Sequence, residues 1–499
     1  MKVHQFLDHY GITENPFAQE DAQSDPVFQE HCLSGTHHSA WDKIYGSPTA
    51  PSTSVVFGEQ GSGKTALRLQ MMAQLREYNS EQIDKRAFVV EYDDFNPFLD
   101  SFRERLSGRR RKPERALQNW RLWDHMDAIL TLATTRLANA IRDDGRDPHD
   151  KSHALAVNKL DSLTHQEKRD VMLLAAFYDH NRELSARQRW QMLRRKLRYA
   201  NWKTWWDIGL GIGVTLLTIV LVLWLSEWRT LLSWWVPTII AVGWLPFLWH
   251  QVKLSWMAWR VSRQIRVIDH ETSALRKVLA NFERSDLGGQ PVPSRPRGDD
   301  RYELLLKLQG VLRSLGFTSI FVLVDRVDEP HLVNGSPERI RDLLWPMFDN
   351  KFLKHPGMAF KLLLPANVSG YLQRQEREFY ERSRLDKQNL IQSLTWTGQG
   401  LYDIANDRIR ACAKLAEGKK PGIGDFFEEA ISTNDLIGIF DRLRAPRHLF
   451  KFLYRLLIDH CSKYTEDQPE WKIRRETMQS SLAVFMRDLE AYEQGRGTG

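Results

Sequence analysis

The run Gly58-Glu59-Gln60-Gly61-Ser62-Gly63-Lys64-Thr65 constrains this chain more than any other stretch of it. It follows a short β-branched segment, Ser54-Val55-Val56-Phe57, and leads into the helical run ALRLQMMAQLREY. A strand, a glycine-rich loop ending in Lys-Thr and then a helix is the setting in which G-x-x-x-x-G-K-[ST] forms a phosphate-binding loop, the Walker A motif. Glycines let the backbone wrap close to a ligand and turn its N–H groups toward it. The helix N-terminus adds the positive end of its dipole. The expectation is that Gly58, Gly61, Ser62 and Gly63 cradle the phosphates of ATP. Lys64 would neutralise the β- and γ-phosphates, and Thr65 would ligate Mg²⁺. A loop so placed also predicts an α/β fold, a parallel sheet with helices on both faces.

Such a site needs an acid at the tip of a second strand. Ser319-Ile320-Phe321-Val322-Leu323-Val324-Asp325 is an apolar run ending in Asp, so Asp325 is the expected Mg²⁺ partner. Arg326-Val327-Asp328-Glu329-Pro330 follows. An acid just past that aspartate is placed to polarise an attacking water, with Glu329 the first choice and Asp328 the second. A third strand is expected over Ala359–Pro365, and Asn367 at its tip would sense the γ-phosphate or the lytic water. Arg374, Arg377, Arg382 and Arg384 are finger candidates, with a solvated helix face the plainer reading of each. Arg447 precedes the apolar run HLFKFLYRLLIDH and could reach back to the phosphates from a C-terminal lid. ATP is the expected nucleotide, since no guanine-specifying NKxD motif follows Asp325.

Thr65 and Asp325 lie 260 residues apart, far more than a bare core needs. Arg86–Tyr92 reads as another core strand. Periodicity predicts helices over 121–141 and 168–180. Inside this insertion, Ile208–Leu225 runs 18 residues without a charge, and Thr230–Trp249 runs 20. A spanning helix needs about 20 mostly apolar residues. Of the 18 tryptophans, eleven fall between Trp202 and Trp259, as they would at a membrane interface. These features predict a transmembrane hairpin over 204–252. Residues 187–203 and 251–266 are basic without an acid, which predicts cytoplasmic flanks resting on anionic lipid heads. The implied location is the inner (cytoplasmic) membrane, multi-pass, with both termini cytoplasmic. Residues 261–284 read as one helix returning to the core, and 286–300 as a flexible linker.

The organisation is therefore a lead-in (1–45), a first core part (46–100), a helical insertion (101–203) and the hairpin (204–252). A juxtamembrane helix and linker (253–300), a second core part (301–400) and a helical lid (401–499) complete it. A net charge of +7 favours an anionic partner, lipid or nucleic acid. The basic run Arg109–Lys112 could meet either, though a solvated turn is its plainer reading. Three cysteines, Cys32, Cys412 and Cys461, lie far apart, which excludes a disulfide scaffold and a CxxC zinc site.

Walker A, a long insertion with two uncharged runs, an apolar strand ending in Asp and a helical tail with Arg444-Ala445-Pro446-Arg447 follow in that order. This arrangement resembles the KAP group of P-loop NTPases, within the AAA-like and STAND-like set. The likeness spans roughly residues 46–460. In one place, Asp325 to Glu329, the sequence is closer to the VDxxDE form of AAA and STAND ATPases than to the Asp-Asp-Leu-Asp-Arg of KAP proteins. The opening, Tyr10-Gly11-Ile12-Thr13-Glu14-Asn15-Pro16-Phe17, is similar to the start of bacterial AAA ATPases of secretion and transposition systems. The resemblance implies a membrane-anchored ATPase acting as a switch or motor in signalling or antiphage defence, as a homo-oligomer or with a protein partner. A nucleotide-binding scaffold with little hydrolysis and an ATP-gated oligomeric pore are the alternatives.

Overall fold

The computed structural model describes residues 1–142, 157–181, 184–199, 206–225, 235–374, 377–414 and 420–493. Five strands form one parallel sheet: β1 (Ser54–Gly58), β2 (Arg86–Tyr92), β3 (Phe317–Val324), β4 (Met358–Pro365) and β5 (Asn389–Ile391). Their order is β2-β3-β4-β1-β5. The strand that feeds the glycine loop and the strand that ends before Asp325 are therefore not neighbours. β4 lies between them, and its Leu362 pairs with Val55 on one side and Val324 on the other. β5 was not anticipated. It is three residues long and lacks the apolar run that marks the others.

The central strands are buried on both faces, as strands of a covered parallel sheet must be. Alternate residues go to opposite cores. Val55, Phe57, Val90, Val322, Val324 and Leu362 join one. Val56, Val89, Phe321, Leu323 and Leu363 join the other, where the helix Lys64–Glu81 covers them with Leu67, Met71 and Leu75. The first face is covered by helices from between β2 and β3, chiefly Leu122–Arg142, His165–Tyr178 and Asp299–Ser314. The two helices expected over 121–141 and 168–180 lie there. The single helix expected over 261–284 is broken. One helix ends at Gln264 and the next spans Thr272–Leu279. Arg105 fills the break, donating to the carbonyls of Ile265 (2.9 Å) and Ile268 (2.6 Å) in the link between the two helices.

The membrane expectation is overturned. Among the described residues no helix is long and apolar enough to cross a membrane. This removes the transmembrane hairpin over 204–252 and the inner-membrane multi-pass placement with cytoplasmic termini. Freedom from charge along 208–225 and 230–249 did not fix where the helices run or what they pack against. The helices are Trp206–Leu225 and Trp235–Gln264; residues 226–234, the expected tip, lie outside those described. The second helix continues past the uncharged run through Gln251, Lys253, Arg260 and Arg263, burying Leu254, Ala258 and Val261 in the main core. The two helices pack on each other. A side chain at Gly211 would come within 2.9 Å of the Trp244 ring, and one at Gly243 within 2.6 Å of Val214. Trp244 also donates to the Thr215 hydroxyl (3.1 Å). Several flanking cations have protein partners. Arg189 is buried against Asp179 (2.6 Å), and Arg266 holds the buried Asp124 (3.0 Å).

The two ends of the chain share a third core. Phe6, Leu7, Ile12 and Phe17 pack with Leu401, Ile409, Phe426, Leu449 and Phe452. The buried pair Arg408–Asp25 (2.6 Å) ties them further. The expected lead-in and the expected lid are thus one body, and it sits over the loop end of β1.

Candidate phosphate-binding cleft

The cleft is a cavity of about 360 Å³ lined by the glycine loop, the turn after β3 and the terminal body. Its floor follows from local backbone rules. Gly61 (φ +83°) and Gly63 (φ +94°) lie in the left-handed region that favours glycine. A Cβ at Gly61 would stand 2.6 Å from that of Arg447. The helix starting at Lys64 leaves its first N–H groups without intrahelical partners, facing the loop.

Lys64 curls back to donate to the carbonyls of Gly58 (2.9 Å) and Glu59 (2.8 Å). Burial pulls its ammonium below the ordinary lysine range, and the Asp328 and Asp325 carboxylates oppose that. Thr65 donates its hydroxyl to Asp325 Oδ2 (3.0 Å). Burial raises the Asp325 carboxyl above the usual range, against the pull of Arg68 and the Thr65 bond. The expected pair thus meets across β1, β4 and β3, although its members are 260 residues apart.

The residues present fit a magnesium nucleotide. Ser62 Oγ is buried without a hydrogen-bond partner inside the loop, and a Cβ at Gly58 would fill the same space at 2.3 Å. Thr65 and Asp325 offer two hard oxygens to a cation. Among the described residues no cluster of three or more His, Cys, Asp or Glu could hold a metal by itself. A cation here would complete its shell with ligand and water oxygens, as Mg²⁺ does.

The turn after β3 separates the two acids. Arg326 adopts φ +57°, costly for a residue with a side chain. It is pinned by Glu329 (2.7 Å) and by Gln23 from the N-terminal body (2.9 Å). Glu329 is exposed and occupied by that ion pair; Asp328 is half-buried. Both line the cavity.

Arg447 arrives as expected at the start of a C-terminal helix, Pro446–Ser462. Its backbone N–H donates to the Gly61 carbonyl (3.3 Å), and its guanidinium lies 3.8 Å from Glu20. Asn367 is exposed in the turn after β4 and does not line the cavity. Nor do Arg374, Arg377, Arg382 or Arg384.

Four participants escaped the sequence reading. Arg68, one turn after Lys64, is 2% exposed and lies between Asp93, Glu91 (3.6 Å) and Asp325 (3.4 Å). An arginine amid the apolar residues of a phosphate-loop helix was the available signal, since a buried cation must find carboxylates. Trp396 donates its indole N–H to the Ser62 carbonyl (2.9 Å). Glu20 and Gln23 come from the N-terminal body, and nothing in their local sequence marks them. The chain matches no family model, and no curated protein or solved structure matches it.

Proposed function

We propose that the chain binds ATP with Mg²⁺ in this cleft and hydrolyses it, acting as a nucleotide-driven switch. The carrying observation is that one cavity joins Lys64 and Thr65 of the glycine loop to Asp325 and Asp328, under a cover from both chain ends. Bound Mg²⁺ would supply charge neutralisation of the phosphates. The chain's own residues do the rest. The loop N–H groups and Lys64 hold the phosphates, and Thr65 and Asp325 hold the cation. Asp328 is favoured over Glu329 to orient and deprotonate water, because Arg326 already claims Glu329. Arg447 and Trp396 link the cover to Gly61 and Ser62, so a ligand that moves the loop moves the cover. That linkage supports a switch.

ATP binding and turnover by the purified chain test this reading. Lys64→Ala should lose both. Asp328→Asn should bind ATP but lose turnover by about 100-fold or more, the usual range for a removed general base. Glu329→Gln should retain most turnover. A wild-type chain that fails to bind ATP would sink the proposal. A wild-type chain that binds without turning over would favour a nucleotide-binding scaffold.

A further inference from the structure

The helix Trp235–Gln264 carries two apolar stripes on opposite sides. One stripe, through Gly243, Leu254, Ala258 and Val261, is packed inside the chain. The other is Val242, Leu245, Trp249, Val252, Trp256 and Trp259, and each of these six is 47–70% exposed. Their spacing alternates three and four residues without interruption, the heptad seam by which helices pair. At 100° per residue the exposed seam is centred roughly opposite the packed one.

We infer that this seam pairs antiparallel with the same helix of a second copy, making the protein a two-fold homodimer. Three observations select this occupant. First, the seam is its own complement. Reversed about its midpoint between His250 and Gln251, it sets Val242 against Trp259 of the partner subunit. Leu245 then meets the partner's Trp256, and Trp249 the partner's Val252. Every indole faces an aliphatic side chain, the large-against-small fit that close packing requires. A parallel pairing would set three indoles on three indoles.

Second, the helix contains no acid but carries Lys253, Arg260 and Arg263. Arg260 lies over the Trp256 ring at 3.8 Å and Arg263 over Trp259 at 4.9 Å. A parallel pair would bring these guanidinium groups together, whereas an antiparallel pair moves them to opposite ends, roughly 28 Å apart at 1.5 Å per residue. Third, the area suffices. At about 200 Å² for a fully exposed large side chain, the six residues present roughly 700 Å² per copy. A stable interface needs about 800 Å² per partner, and the neighbouring exposed Leu248 adds to the seam. Such a contact is isologous and closes on itself.

Light scattering on the full chain tests the inference. The expected mass is twice 58.3 kDa at micromolar concentration. The double variant Trp249→Arg/Val252→Arg places charge at the centre of the seam and should raise the dimer Kd by about 100-fold or more. Its thermal midpoint and circular dichroism check that the fold is kept. Orientation is read by mixing a Val242→Cys chain with a Trp259→Cys chain under mild oxidant. A disulfide-linked dimer should form in the mixture and not in either variant alone. A wild-type mass of 58.3 kDa overturns the inference, as does self-cross-linking of Val242→Cys. A wild-type monomer that floats with phosphatidylcholine vesicles also overturns it, assigning the seam to a lipid surface.

Discussion

Removing the Arg68 guanidinium should cost this protein about 3 kcal/mol of stability, mostly through one carboxylate. Arg68 is 2% exposed and faces Asp93, Glu91 and Asp325. Stripping one partner from a buried ion pair costs about 3–5 kcal/mol, because the remaining charge is left without compensation. Asp93 and Glu91 keep a quarter to a third of their surface in water, so little of the cost falls on them. Asp325 is 2% exposed and keeps the Thr65 hydroxyl and a distant Lys64, which places the estimate at about 3 kcal/mol, the low end of that range. Arg68→Ala should lower the midpoint of thermal unfolding by roughly 3 °C.

The pH dependence distinguishes this account from simple loss of packing. The Asp325 carboxyl is already raised above its ordinary range by burial, and Arg68 is the strongest influence holding it down. Without Arg68 it rises further. The folded variant then binds a proton that the unfolded chain releases, so stability falls as pH rises through the widened window. Thermal midpoints measured from pH 8 down to pH 5.5 should show the gap between variant and wild type narrowing. A gap under 1 °C at pH 8, or one that does not change with pH, would refute the reasoning.

Two further outcomes follow from the same structure. Lys361 is fully buried in β4, with Nζ donating to the carbonyls of Ile44 (2.6 Å) and Ser52 (2.7 Å), and burial lowers its pKa to about 7. The unfolded chain therefore binds more protons above pH 7, and stability should rise with pH toward the ordinary lysine range by up to about 1.4 kcal/mol per unit. In denaturant melts Lys361→Met should remove that slope; equal slopes in both proteins would reject the assignment. Gly61→Ala should cost about 1–3 kcal/mol, from the left-handed backbone and the clash with Arg447, and should weaken nucleotide binding at least tenfold by calorimetry. Unchanged affinity would mean that the loop does not close around phosphate.

Four of the five strands were legible because each is a short apolar run bounded by turn residues, and parallel strands buried on both faces must read that way. The loop from Gly58 to Thr65 was legible because its geometry is local: eight consecutive residues set its backbone, with Gly61 and Gly63 at positive φ. The apolar strand end also marked Asp325. The membrane hairpin was misread for a related reason. Freedom from charge is visible along a chain, but where a helix ends and what it packs against are not. Its continuation to Gln264, with Leu254 and Val261 in the core, depends on contacts with distant segments.

What the linear chain determined, then, was the glycine loop, the acid at the end of β3 and the parallel sheet, each a pattern within about ten residues. What only the tertiary structure decided was the company the site keeps. The turn after β3 tied Glu329 to Arg326 in an ion pair, while Asp328 and Glu329 both line the cleft, a pairing no spacing could show. The folding together of the two chain ends brought Trp396 and Arg447 onto the glycine loop and Gln23 onto Arg326 after β3, from positions hundreds of residues apart. Such contacts arise from the burial of Phe6, Phe17, Leu449 and Phe452 in one core, and apolar burial carries no address in sequence.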